Sequence, residues 1–566
     1  MKIYKFIRIN VIVALLLLIN ACEDDFLEKF PIDSPSSETF FSNEKELIMA
    51  INGCYVNMAI FGAGRYYSGT FRGRIFPWHL DAMSDIGWER YGVDISVGTH
   101  DSQSSWPGRV WRESFNGIAK CNSLLDNMDK AKDNVSEELF NRIKAEARFL
   151  RAYHYHHLVE LFGDVPLIEK STLLEDANVF RTDKTDVINF VLQELEEVAA
   201  VLPEKYSDSE LGRVTKGAAL TIKARTALYD GKWDIAIDAT QRIMNLGIYS
   251  LYPDYEKLFY YEGENCDEVI LQFVFHKPTN FHSYPKDMAP DQGICSSWNV
   301  VVPLQDMIDS YEAIDGLPID ESSVYDQNHS FENRDPRLNQ TIISDGMKFG
   351  NWIFYTHPDS IQTWEFDANG DSTRVKNTNV TSAYASFSGY HWKKFLDEKD
   401  IYDNPYESDL NLMIARYAEV LLMYAEAKIE MNNIDQSVLD AINQVRQRPS
   451  VGMPPVTTTN QDELRKILRR ERKIELCFEG LRYYDIRRWG IAENAMNRPA
   501  YGRPKGLYNI IGVPDIDEDG IPHYGADEDK LRIITPRSFD PNRDYLWPIP
   551  QSEMDVNPNL VQNPGY

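Results

Sequence analysis

Long apolar runs are missing from this sequence. The longest, Val11–Ile19 (VIVALLLLI), has nine residues between Asn10 and Asn20. A nine-residue helix at about 1.5 Å per residue covers only about half of the ~30 Å hydrocarbon core, which excludes a transmembrane helix. Positive charge is also in short supply. Against 87 acidic residues stand 59 Lys and Arg, a formal charge of −28 with a pI near 4.8. Nucleic-acid affinity comes from Lys and Arg neutralising phosphates, so DNA and RNA are excluded as partners. Cysteine is sparse: apart from Cys22 there are Cys54, Cys121, Cys266, Cys295 and Cys477, odd in number and without a C-x-x-C pair. This argues against a disulfide framework and against a zinc site, and Cys477, in an apolar helical pattern, reads as a small core residue.

The short apolar run has another use. Lys2, Lys5 and Arg8 precede it, the charge and length pattern of a secretory signal over residues 1–21. It ends Leu18-Ile19-Asn20-Ala21-Cys22, which resembles a bacterial lipobox, so Cys22 is the expected lipidation site and anchor to the outer membrane. Two or more acyl chains give stable attachment where one gives marginal binding. Glu23, Asp24 and Asp25 follow, similar to the acidic tag of surface-exposed lipoproteins in Bacteroidetes-type bacteria. Without Lys2, Lys5 and Arg8 the balance becomes 56 basic against 87 acidic residues, a net −31.

What remains is rich enough to fold. With 43% hydrophobic and 26% charged residues the chain has the makings of a large buried core and a water-facing surface. Helical periodicity dominates. In Arg142–Phe162, Ala145, Phe149, Ala152, Tyr153 and His156 recur at helical spacing before a Gly163 stop and Pro166. Leu220, Ala224, Ala227, Gly231, Trp233 and Ala236 give the small-residue pattern of a tetratricopeptide-like helix pair. Met413–Met431, Ser437–Arg448 and Leu464–Asp485 predict further helices, and Glu268–Phe275 is the best strand. Between them, residues 277–408 are dense in Gly, Pro, Asn, Asp and aromatics, which predicts ordered loops laid on a helical scaffold.

Five ordered blocks carry a resemblance. They are Ala145–Tyr153 (AEARFLRAY) with Leu161–Pro166 (LFGDVP), Gly212–Ala219 (GRVTKGAA), Ala418–Ala427 (AEVLLMYAEA), Glu471–Leu476 running to Arg487–Gly490 (RRWG), and Leu546–Pro550 (LWPIP) running to Gln562–Tyr566 (QNPGY). In this order they resemble the SusD/RagB family of surface glycan-binding lipoproteins. The resemblance implies a mainly α fold, a tetratricopeptide-like right-handed helical scaffold with a loop-rich ligand face and few short strands. It divides the chain into residues 22–240, carrying helix pairs, and 241–566, carrying the loops of 277–408 and the helices of 411–490, in one compact body. The implied partner is a SusC-like TonB-dependent outer-membrane barrel, with capture of oligosaccharides or polysaccharides for import and no catalysis. Peptide uptake of the RagB type keeps the fold and changes the ligand; a secreted glycoside hydrolase and a purely structural repeat are the remaining alternatives.

A neutral oligosaccharide offers apolar C–H faces and a rim of hydroxyls, so its binder needs exposed aromatic platforms flanked by planar polar side chains. Two segments offer them. Asp81–Gly92 holds Trp88, Arg90 and Tyr91, and the irregular middle holds Tyr284, Trp298, Asn299, Trp352, Trp364, Tyr384 and Trp392. We expect Trp88 and Trp298 as the main platform, with Tyr91, Arg90 and Asn299 bonding the rim and Tyr284 nearby. Trp233 and Trp489 lie in helix-pair patterns and read as structural.

Other constellations are weaker. His154 and His157 could share a helix face, but the spacing sets no carboxylate or third ligand, so His154, His156 and His157 read as part of a packed or solvated helix rather than a metal site. Asp515-x-Asp517-x-Asp519-Gly520 copies the first half of a calcium loop, but position 12 is Ala526 where Glu is required, so no cofactor is expected beyond a structural calcium at Asp515, Asp517 and Asp519. Glu471, Glu475 and Glu479, interleaved with Arg470, Arg472 and Arg482, read as an ion-pair ladder rather than catalytic acids.

Overall fold

The computed structural model describes residues 40–58, 78–90, 94–171, 178–293, 297–506 and 511–566. The leader, Cys22 and Tyr91 lie outside the described residues. Helices come in succession: α1 (Glu44–Met58), α2 (Ser105–Asn127), α3 (Glu137–Phe162), α4 (Lys184–Ala199), α5 (Lys216–Tyr229) and α6 (Trp233–Asn245), then α7 (Tyr417–Glu430), α8 (Gln436–Arg446), α9 (Gln461–Glu475) and α10 (Arg482–Arg488). Each of α2 to α6 packs on its predecessor or on the helix before that; α7 then lies on α6, and both α8 and α9 lie on α7. This is the layered helix-pair scaffold expected of the sequence.

Local chemistry sets the helix ends. Ser136 caps α3 by accepting from the Leu139 N–H, with Glu137 and Glu138 in the first turn, where negative charge complements the helix dipole. Gly163 ends it at φ 74°, a left-handed conformation that a side chain would oppose. In α5 the small residues Ala218, Ala219, Ala224 and Ala227 are fully buried, which lets neighbouring helices approach on two sides.

The structure corrects two boundaries. Leu412–Arg416 is a strand rather than helix; it pairs antiparallel with Val269–Phe273, and α7 begins only at Tyr417. The long helix expected over Leu464–Asp485 is two helices, because Phe478 and Gly480 take left-handed backbone at φ 62° and 83°.

Two large hydrophobic clusters result, one within the helices and one under residues 277–408, and Phe273 packs against both. Between the helices and the loops lies a buried charge network. Glu475 receives Arg416 at 2.7 Å, Arg448 at 2.9 Å and Arg337 at 2.9 Å, all with fully buried side chains. Burial opposes its charge, yet the three guanidiniums hold its carboxyl well below the usual range. Arg337 also binds Glu471 and Asp335, and Arg416 also binds Glu268 and Glu479. The glutamates are therefore structural ion-pair members, as expected, but their partners come from elsewhere: Arg472 turns to Asp485 and Arg482 to Asp85.

The segment 277–408 is not bare loop. It contains a four-stranded antiparallel sheet, in the order Lys348–Phe349, Trp352–Ile353, Gln362–Phe366 and Ser372–Lys376.

Candidate functional site

The site is built on a short strand pair, β1 (Gly87–Glu89) with β2 (Val301–Pro303), in which Trp88 faces Val302. Beyond β1 the ladder continues, the Arg90 N–H donating to the Val300 oxygen at 2.7 Å. On its other side the Trp298–Val300 segment is tied to the short helix Tyr284–Met288, through Trp298 N–H to Lys286 O and Val300 N–H to Asp287 O. Asn299 between them takes φ 45°, a conformation that Asn tolerates better than most side chains.

Arg90 and Asn299 converge on one loop. Arg90 donates from Nε to Asn299 O at 3.2 Å, from one terminal nitrogen to Ala383 O at 3.0 Å and from the other to Ala385 O at 2.6 Å. Asn299 Nδ2 donates to Tyr384 O at 2.5 Å. Both side chains thus hold the backbone around Tyr384 from behind, where they were expected to meet a ligand directly. Tyr384 itself is 39% exposed.

Trp298 is half-buried and meets Tyr406 edge-on at 6.1 Å, and Tyr406 is 40% exposed. The Lys286 ammonium sits 5.1 Å from the Trp298 ring centre and 5.0 Å from that of Tyr406, a cation–π clamp that orients both rings. Asp291 lies near Lys286 and Arg90; burial pushes its carboxyl up, against the pull of Ser382 and those two cations.

Two expected site residues, one of them a platform residue, are corrected. Trp88 is 8% exposed, packed with Val302, Leu304 and Ala500 and edge-on to Phe387 at 5.2 Å, so it forms a wall of the site's core and offers no open ring face. Tyr284 is 1% exposed; its hydroxyl donates to Lys394 O at 2.7 Å and its ring stacks edge-on against Trp78. Both lie in short elements that are buried nearly throughout, the strand Gly87–Glu89 and the helix Tyr284–Met288, which a loop reading misses. Trp392 and Trp352 are buried as well, while Trp364 is exposed. Tyr406 and Lys286 were missed: Tyr406 was one of 31 tyrosines, and the clamp joins residues 120 positions apart.

Next to the Tyr384 loop an open cleft of ≈ 510 Å³ is lined by Asn379, Ser386, Phe387, Arg503, Lys505 and Arg532 among others. Among the described residues no Asp or Glu lines it. Arg503 and Arg532 come from a two-stranded ribbon, Ala500–Pro504 with Leu531–Thr535, that also hydrogen-bonds Ser388 through the Arg503 N–H. Gly389, at φ 84°, leaves room for the Arg503 side chain, which a Cβ there would strike at 2.4 Å.

The remaining motifs resolve as packing. His154 and His156 are fully buried and burial pushes their imidazoles down to about 3; His157, hydrogen-bonded to the Tyr484 hydroxyl, is lowered further. Asp515 and His523 pair in a hairpin, and Asp517 accepts from His523 and from Asn494 at 2.8 Å while Asn494 also reaches Asp519. Among the described residues no three His, Cys, Asp or Glu side chains gather where they could hold a metal ion. The calcium expectation therefore finds a hairpin turn, not a converged ligand set.

The architecture has known counterparts. Residues 268–566 match the SusD family model, and residues 25–228 match a model described as starch-binding associating with outer membrane. The chain belongs to the SusD/RagB family. A SusD-like carbohydrate-binding protein from Bacteroides fragilis, known as a crystal structure, is 30% identical, with a TM-score of 0.80 over 92% of this chain and 100% of that one. SusD-like protein P2 of Formosa agariphila is 27% identical over 100% of both chains. The starch-binding protein SusD of Bacteroides thetaiotaomicron is 22% identical, over 89% of this chain and 86% of that one. None of this chain's described helices is long and apolar enough to cross a membrane.

Proposed function

We propose that this protein is a non-catalytic surface lipoprotein that captures oligosaccharides or polysaccharides and passes them to a SusC-like TonB-dependent transporter. The observation that carries the reading is a set of aromatic rings reaching the surface: exposed Tyr406 beside half-buried Trp298, both clamped by Lys286, and exposed Tyr384, whose backbone Arg90 and Asn299 hold. Rings held rigidly before a ligand arrives lose little freedom on stacking against a sugar. The carbohydrate-binding descriptions of its relatives support the same ligand class. Attachment through a diacylated Cys22 fits the outer-membrane association in the family description.

Affinity gels loaded with a panel of polysaccharides, run beside a reducing-sugar assay, test the reading. Retention by at least one glycan with no sugar released is expected. Sugar release would replace binding by hydrolysis, and failure of every glycan with retention of peptides would move the protein to peptide uptake. Loss of palmitate labelling in Cys22→Ala tests the anchor, and co-purification of a barrel with the lipidated protein tests the partnership.

A further inference from the structure

The chain carries far more acid than base, and its buried arginines are largely matched to carboxylates: Arg225 to Glu419, Arg337 to Asp335, Arg482 to Asp85 and Arg488 to Glu426. The cleft beside Tyr384 breaks that pattern. Arg503, Lys505 and Arg532 line it together, and among the described residues no carboxylate lies within ion-pair distance of any of them. Their protein contacts are to main-chain oxygens: Arg503 to Pro504 and Thr356, Lys505 to Asp529, and Arg532 weakly to Ser386 at 3.4 Å. Asp345, which acts on Arg503 from a distance, is itself occupied by the Thr356 N–H and hydroxyl.

Three like charges in one cleft repel, and the protein does not neutralise them. Partial burial lowers the Arg532 guanidinium, and Arg503 beside it lowers it further. Arg503 Nε is buried without a hydrogen-bond partner, and so is the acceptor Oδ1 of Asn379. The Phe387 ring completes the lining, with the Arg532 guanidinium 5.9 Å from its centre. Guanidinium groups match carboxylate and sulfate oxygens in geometry, and an anion here would supply the missing counter-charge.

We propose that this cleft binds the acidic groups, carboxylate or sulfate, of an anionic glycan. The inference rests on the glycan reading above and narrows its ligand class to uronate-containing or sulfated polysaccharides. Neutral stretches of the same chain then lie on Trp298, Tyr406 and Tyr384, and the charged residues sit in the cleft.

The test uses affinity gels loaded with polygalacturonate, alginate, carrageenan and chondroitin sulfate, each beside its carboxyl-reduced or desulfated form, and with laminarin, starch and xylan as neutral arms. Whole protein is compared with the double variant Lys505→Gln/Arg532→Gln; both residues are exposed, and an unchanged melting temperature checks that the fold is intact. The expected result is retention by an acidic gel, lost when its charge is removed, weakened about tenfold in the double variant and weakened as salt is raised from about 0.05 to 0.5 M. Carboxyl reduction and desulfation identify which group is read. Retention by neutral gels alone, or acidic retention that survives both charge removal and the double variant, overturns the inference and leaves the glycan reading standing. Retention by none of the gels, with or without capture of poly-glutamate, overturns both.

Discussion

Asn299 and Tyr384 are joined by a hydrogen bond of 2.5 Å between the Asn side-chain amide and the Tyr main-chain oxygen, across 85 residues of sequence. Asn299 is fully buried and has an exposed ring as its cargo. Its role is to fix where Tyr384 stands. Asn299→Ala should therefore weaken glycan binding about tenfold, as Tyr384→Ala does, and the two changes combined should cost little more than either alone. A double-mutant cycle by calorimetry checks this; fully additive losses would mean that Asn299 does not act through Tyr384.

Trp298→Ala and Tyr406→Ala should each lower affinity by about 1–3 kcal/mol; Tyr406, 40% exposed, should leave the melting temperature nearly unchanged, while half-buried Trp298, which packs on the core, should also cost about 1 kcal/mol of stability. Trp88→Ala should do the reverse. It empties a packed site beside Val302 and Phe387 and should cost about 3 kcal/mol of stability, with binding by the folded fraction largely kept. Denaturant unfolding and calorimetry on the same samples separate the two behaviours.

Glu475→Gln should destabilise the protein by about 3–5 kcal/mol, because it leaves Arg337, Arg416 and Arg448 buried around a neutral amide. Exposed pairs such as Lys205–Asp267 should matter little, and Asp267→Asn should shift stability by less than about 0.5 kcal/mol. Comparable losses in both variants would argue against the network as the join between helices and loops.

Asp81 is buried, and burial pushes its carboxyl up to about 7 despite the N–H groups of Gly480 and Arg482 that it accepts. A raised carboxyl favours the protonated fold. Its contribution is complete below pH about 4 and is lost as pH rises through about 7. Melting temperature should fall between pH 5 and 8, and Asp81→Asn should flatten that fall by about 2 kcal/mol.

On the acid side the histidines act in the opposite sense. His154 and His156, held neutral down to about 3 by burial, contribute stability that is complete above pH about 6.5 and lost as pH falls toward 3. Urea titrations between pH 4 and 6 should show His154→Gln unfolding with about one fewer proton taken up than the parent.

Much of the scaffold is readable before folding. The spacing of Ala224, Ala227 and Ala236 and the Gly163 stop predict helices that the structure contains: α6 writes its one buried face into the local sequence, while α5, buried on all sides, is marked by its small residues. Leu412–Arg416 misled that reading, since a fully buried strand is apolar on both faces and has no period to distinguish it from buried helix. The candidate site was legible only in part. Trp298 and Tyr384 are candidates in both the sequence and the structure, whereas Tyr406, Lys286 and the cleft residues emerge only from the structure, as ring exposure depends on what packs behind each ring and not on its neighbours in sequence.

The sequence alone determined the helix-pair character, the acidic charge, the absence of a membrane-spanning helix and the family blocks, all properties set by residues within a few turns of one another. Tertiary structure decided which aromatics face water, which acids pair with which arginines, and that Arg503, Lys505 and Arg532 share one cleft with no carboxylate among the described residues in ion-pair reach. Those outcomes depend on contacts across tens to hundreds of residues. Burial and electrostatics act through space, and only the folded chain fixes those distances.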